Sequence, residues 1–325
     1  MRRVAPAALL AVLVACAPEG SAEEPGLQVV TTVAPLTSIV ADVVGDRGRV
    51  TGLVPEGTNS HTFDPPPSAG EALALADVVF VNGLRLEEPT VELAERTIES
   101  GTPVVELGSV LPESEYIYDF SFPREEGKPN PHLWTDPTFA ARYAEKVRDT
   151  LVELDPDGAE DYRANAAAFV ARADGLADAL RADQESLPRE RRELLTYHDA
   201  YAYFARTFGW RVVGAIQPEN FEDPTPREVA ALIDQVRRED VRAVFGSEVF
   251  PSRVLEQIGA ATGVRYVDVL RDDDLPGEPG DPEHSWLGLM RFDYVTMIEA
   301  LGGSAPALRA LEIEDVSAAD AHYPQ

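Results

Sequence analysis

Short runs of β-branched and aliphatic residues alternate along this chain with stretches in which apolar positions recur every three or four residues. Eight runs, at 27–32, 50–54, 78–82, 104–107, 194–197, 211–216, 243–246 and 265–270, read as strands. Each closes in turn-forming residues before a helical pattern begins, and that succession predicts parallel sheets in α/β layers. Helix starts are marked by their capping chemistry. Ser68 with Glu71 predicts a capping box, Asp136-Pro137 an N-cap followed by proline at the first helical position, and Thr225-Pro226 with Glu228 both devices together.

The segment 157–187 breaks this rhythm. It has no strand signal and no proline, and Tyr162, Ala166, Phe169, Ala173, Leu176 and Leu180 fall three and four apart. One amphipathic helix of about 28 residues, roughly 40 Å long, is predicted there. A helix of that length suits a strut crossing two lobes better than an element within one. The predicted organisation is an N-terminal α/β lobe at 27–155, a connecting helix at 156–188 and a C-terminal α/β lobe at 189–325. A chain of 325 residues with 44% apolar content can fill both cores.

Composition adds a compartment and excludes some partners. Arg2 and Arg3 precede a run at 4–15 that is apolar throughout and interrupted only by Pro6. The run is shorter than the roughly 20 residues a bilayer span needs, so it reads as a signal segment at 1–15. Cys16, the only cysteine, closes it in LVAC, and a small, acidic tether follows to residue 26. LVAC resembles a bacterial lipobox, which would make Cys16 a lipid anchor. Ala15-Cys16-Ala17 also fits ordinary cleavage between small residues. A single cysteine permits no intramolecular disulfide. The net charge of −29 opposes binding to nucleic acid and anionic lipid.

The chemistry lies in three of the five histidines. His61 sits in GTNSHTFDP, His132 in NPHLWTDP and His198 in TYHDAY, each among Pro, Asn and Asp. Dispersed imidazoles of this kind build a transition-metal site when the fold brings them together. His284 and His322 have no such setting and read as surface residues. Asp64, Asp136 and Asp199 each follow a histidine closely and are candidates either for helix caps or for orienting an imidazole. Glu248 ends a strand on the side of the expected cleft, as a further carboxylate or the start of a turn. Trp134 and Tyr197 are candidates for walls of the site or for core packing.

In order along the chain, LVAC, VVTTVAPLTSIV, GTNSHTFDPPPS, ADVVFVNGLRLE, NPHLWTDP, TYHDAYAYFARTFG and MRFDYVTMIEAL resemble the zinc/manganese solute-binding lipoproteins of ABC transporters, the ZnuA/TroA-like family. The resemblance implies two α/β lobes joined by a long backbone helix, with a metal ion in the cleft between them. It implies His61, His132 and His198 as ligands and, as the fourth, an aspartate just past the last strand in LRDDDLPG. Asp273 is favoured there, with Asp272 as the alternate and Asp274 also open. Three imidazoles and one carboxylate suit Zn²⁺, with Mn²⁺ the alternative. Many zinc members carry a His-rich loop before the second histidine. YIYDFSFPREEGKPNP has none, so no auxiliary metal-collecting loop is implied.

The function implied is capture, not catalysis. A monomer tethered to the extracytoplasmic face of the membrane through Cys16, at the cell surface or in a periplasm, would deliver the ion to an ABC permease. Two other readings stand beside it. A secreted zinc hydrolase would need an open coordination position and a general base, and no HExxH stretch is present. A surface adhesin is a description given to some family members, and no adhesive repeat supports it here.

Overall fold

A computed structural model describes residues 26–119, 121–216, 225–247, 253–313 and 320–324. The first half contains β1 (Leu27–Thr31), α1 (Ala34–Val44), β2 (Gly48–Gly52), α2 (Ala69–Ala74), β3 (Val78–Val81), α3 (Glu88–Thr97), β4 (Val104–Glu106) and α4 (Pro137–Leu154). The connecting helix α5 (Ala159–Gln184) follows. The second half contains β5 (Glu193–Thr196), α6 (Ala202–Phe208), β6 (Arg211–Ala215), α7 (Pro226–Glu239), β7 (Ala243–Ser247), α8 (Arg253–Thr262), β8 (Arg265–Leu270), α9 (Trp286–Ala300) and α10 (Pro306–Arg309). A short strand, β9 (Asp320–His322), comes last.

The strands form two wholly parallel sheets, ordered β4-β3-β1-β2-β9 and β6-β5-β7-β8. All eight predicted strands are present with small shifts. β2 ends at Gly52 rather than 54 because the Leu53 and Val54 amides turn aside and both donate to the Thr32 carbonyl. β9 is the exception to the expected division at 189: it pairs beside β2, Val50 opposite Ala321, so the end of the chain returns to the first sheet. Three residues, Asp-Ala-His, carry no alternation from which a strand is legible.

The capping predictions divide. Asp136 accepts from Thr138 N at 2.8 Å, and Thr225 and Glu228 form the full reciprocal box. The Ser68 box is absent. Ser68 is already helical, with φ −64° and ψ −27°, and the Ala69, Gly70 and Glu71 amides bond to the carbonyls of Pro66, Pro67 and Ser68. The proline-rich turn has taken the donors that a cap would serve.

Helix α5 runs 26 residues, about 39 Å at ~1.5 Å per residue. Its predicted apolar stripe is buried in full. It packs on α1 and α4 of the first half and on α9 and α10 of the second, inside one apolar cluster that reaches from Val29 to Leu308. Near its middle Phe169 meets Trp286 of α9 at 5.1 Å between ring centroids. At its end Asp183, 5% exposed, accepts from the Ala307 and Leu308 amides and caps α10. Trp286 is wholly buried, donates through its ring Nε1 to the Trp134 carbonyl at 2.9 Å and through its backbone amide to Ser38 Oγ at 2.8 Å. Trp286→Ala is expected to cost about 3–5 kcal/mol of unfolding free energy, read from denaturant titration. A loss below 1 kcal/mol would show that the halves are not joined through this contact.

Candidate metal centre

The C-terminal ends of the two sheets supply the site, where open α/β sheets place their ligand loops. His61 lies in the single 3₁₀ turn Ser60–Thr62 on the loop leaving β2. His132 immediately precedes the turn Leu133–Thr135 that leads into α4. His198 stands two residues beyond β5, and Asp272 two beyond β8. The first two histidines share a local device. Asn59 Oδ1 accepts from His61 N at 2.9 Å, and Asn130 Oδ1 from His132 N at 3.0 Å. An asparagine two residues ahead thus holds each histidine's backbone in a side-chain-closed turn.

The three imidazoles converge. His132 Nε2 is 3.1 Å from His61 Nε2 and 3.2 Å from His198 Nε2, and Asp272 Oδ2 is 2.9 Å from His198 Nε2. The three histidines, and separately His132, Asp272 and Asp273, each offer ligand atoms that lie within 4.8 Å of one another. Tetrahedral bonds of about 2.0–2.1 Å separate ligand atoms by about 3.3–3.4 Å, so these spacings are close to the edges of a coordination shell. The three consecutive aspartates do different things. Asp272 points at His198. Asp273 accepts from Ser60 Oγ at 2.5 Å through Oδ2, while its buried Oδ1 has no hydrogen-bond partner among the described residues. Asp274 takes the Gly57 amide with its two oxygens at 2.8 and 3.0 Å.

Electrostatics prepare the site for a cation. Burial, reinforced by the neighbouring His198, holds His61 and His132 well below the usual imidazole range, so both are neutral lone-pair donors. Burial also opposes charge on His198, but Asp272, Asp273 and Asp199 outweigh it and raise that group. Burial and the adjacent Asp272 charge push Asp273 up to about 8, and burial lifts Asp274 to about 6. Without a metal ion these groups therefore hold protons that a cation would displace.

Trp134 forms a wall, its ring 5.0 Å from His132 and its Nε1 donating to the Asp272 carbonyl at 2.8 Å. Phe122 covers His61 and His132 at 5.4 and 5.6 Å. A cavity of about 200 Å³ lined by His61, Leu86, Phe122, Lys128 and Pro131 leads from the site. Tyr197 packs in the smaller core of the second sheet.

Of the three aspartates that were candidates for helix caps or for orienting an imidazole, Asp136 is a cap. Asp64 is exposed. Asp136 spends its oxygens on Thr138 and Thr207, as a helix cap. Asp199 is fully buried beside Asp119, and burial, then the Asp119 charge, raises it well above the usual carboxylate range. Glu248 and Cys16 lie outside the described residues. Asn130 does contact an imidazole through its side chain, with Oδ1 2.9 Å from His132 Nδ1. Its signal was the Asn-x-His spacing shared with Asn59. His284 is not a surface residue. It is 5% exposed, 3.6 Å from Glu56 Oε1 and edge-on to Tyr323, because the loop before α9 folds back against the returning chain end. His322 is exposed, as expected.

Two parallel α/β sheets facing each other across three imidazoles and two carboxylates, braced by one long helix, define a two-lobed metal-binding receptor of the solute-capture class. The model of the family described as "Zinc-uptake complex component A periplasmic" matches residues 29–300, and the chain belongs to that family. The manganese-binding lipoprotein MntA of Halalkalibacterium halodurans is 31% identical over 277 residues, 85% of this chain and 89% of its own. The iron-binding protein YfeA of Yersinia pestis is also 31% identical over 277 residues, 85% and 86% of the two chains. The periplasmic zinc-binding protein TroA from Treponema pallidum superposes with a TM-score of 0.77 at 25% identity, over 86% of this chain and all but 1% of that one (99% covered). Family members are substrate-binding proteins of metal ABC transporters, not enzymes, which sets aside the hydrolase reading. No helix among the described residues is long and apolar enough to cross a membrane.

Proposed function

We propose that this protein captures one Zn²⁺ between its lobes and hands it to an ABC permease. His61, His132 and His198 supply nitrogen and Asp273 Oδ1 supplies oxygen, with Asp272 as the alternate donor beside it. The observation that carries the reading is the convergence of three Nε2 atoms, two of them on imidazoles kept neutral by burial. A nitrogen-rich set suits a borderline cation. The lobes divide at the connecting helix, the returning strand β9 excepted. The molecule acts as a monomer held at the membrane by a lipid on Cys16.

A manganese-specific role is the second reading. It is favoured by the two adjacent carboxylates, since Asp272 and Asp273 both reach the centre and add hard oxygen donors. The likeness to a manganese-binding relative points the same way. Elemental analysis separates the two. After chelator stripping, residues 17–325 are loaded in equal Zn²⁺, Mn²⁺ and Fe²⁺ and desalted. One zinc per chain is expected. Because zinc outranks the other two at most sites of this type, retention of manganese or iron in its presence would sink the zinc reading.

A further inference from the structure

Asn130 is wholly buried and makes six hydrogen bonds around the cleft. Its Nδ2 donates to Asp119 Oδ2 at 2.9 Å and to the Asp199 carbonyl at 2.6 Å. A peptide carbonyl only accepts, so the amide cannot be turned over, and Oδ1 must be the atom that faces His132. That oxygen receives His132 N at 3.0 Å and lies 2.9 Å from His132 Nδ1. The proton of neutral His132 is therefore on Nδ1, and the Nε2 lone pair faces His61 and His198. The backbone of Asn130 is held as firmly, its amide donating to Ile117 O and its carbonyl accepting from Tyr203 of α6.

The same side chain thus joins the second histidine, on the first half, to the residue that follows the third histidine, on the second half. Resting on the capture reading above, we propose that Asn130 is a positioning residue with two roles. It presets the tautomer of His132 for the cation, and it couples the placement of His132 to that of His198 across the cleft. A carboxylate at this position would accept the Nδ1 proton equally well. It would have no hydrogen to give the Asp199 carbonyl and would face Asp119 as a like charge. The carboxamide serves both sides at once.

Two measurements test this. Long-range ¹⁵N–¹H correlation on metal-free wild-type protein above neutral pH is expected to show His132 as the Nδ1–H tautomer, with no substitution needed. Zinc affinity, measured by competition with a chromophoric chelator, is compared among wild type, Asn130→Ala and Asn130→Ser. Serine keeps an oxygen that can close the turn on His132 N, but it is too short for Nδ1 and gives nothing to Asp199 O. Both variants are expected to bind zinc roughly 10–100-fold more weakly than wild type. An Nε2–H tautomer in the wild type, or wild-type affinity in Asn130→Ser, would overturn the inference while leaving capture intact. Failure of the wild type itself to bind zinc would overturn the capture reading and this one with it.

Discussion

His132→Ala is expected to abolish stoichiometric zinc retention, whereas His61→Ala leaves weakened binding. His132 Nε2 is the shared vertex of the cluster, 3.1 Å from one imidazole and 3.2 Å from the other, and its ring is fully enclosed. Its removal leaves a hole between Trp134 and Phe122 and takes the Nδ1 contact away from the Asn130 oxygen, which keeps only the backbone amide of residue 132. The loss should therefore exceed the roughly 10–100-fold that follows when only a supporting hydrogen bond is removed. His61 is partly exposed and borders the 200 Å³ cavity, so a water molecule can stand in for its nitrogen. Isothermal titration of both variants against a competing chelator measures the difference. Equal losses in the two would mean that the site is open on both sides and that His132 has no special place in it. A melt of each variant without metal controls for damage to the fold.

The second large effect is the dependence of affinity on pH. With Asp273 pushed up to about 8 and His198 raised, the metal-free site is protonated at neutral pH, and a cation must displace those protons. Affinity is expected to be level above about pH 8 and to fall below it, by roughly tenfold per pH unit for each proton displaced. The stability of the metal-free protein moves the opposite way in the same window. A group whose folded pKa is raised stabilises fully below its unfolded value and loses that contribution as pH climbs through the folded one. Asp273 and His198 both belong to this kind, while His61 and His132, lowered in the fold, are neutral in folded and unfolded chains above about pH 7. Between about pH 7 and 8 the metal-free melting temperature should therefore drop, levelling off above that as Asp273 is ionised in folded and unfolded chains alike, and bound zinc should remove the drop by replacing the protons. Scanning calorimetry with and without zinc checks both halves. A metal-free melting temperature that rises with pH across this window would contradict the buried, proton-holding site.

Much of the architecture was legible because it follows from local physics. The β-branched runs at 27–32 and 265–270 announce buried parallel strands, since side chains covered on both faces leave few polar positions. The spacing of Tyr162, Phe169, Leu176 and Leu180 announces the strut, since only one helical face can be covered by both halves. The three histidines were legible from their settings of Asn, Pro and Asp, which hold a backbone in a turn and present a ring.

What the sequence could not decide depends on which groups meet after folding. Ser68 and Glu71 have the spacing of a capping box, yet a preceding proline turn consumes the donors. Asp64, Asp136 and Asp199 are equally near histidines along the chain, and the fold sends one to solvent, one to a helix start and one into a buried acid pair. His284 looks like a loop histidine until the end of the chain folds back over it. Asp272, Asp273 and Asp274 are chemically identical neighbours, and only the loop at Gly57 and Ser60, more than 210 residues away in sequence, gives Asp274 and Asp273 their separate partners. The sequence by itself determined the elements and singled out the three histidines that the fold brings together, because propensity, periodicity and side-chain chemistry are local. The tertiary structure alone decided that Asp272 and Asp273 lie beside the imidazoles and that Asn130 joins His132 to the Asp199 carbonyl, because those contacts join residues far apart in sequence.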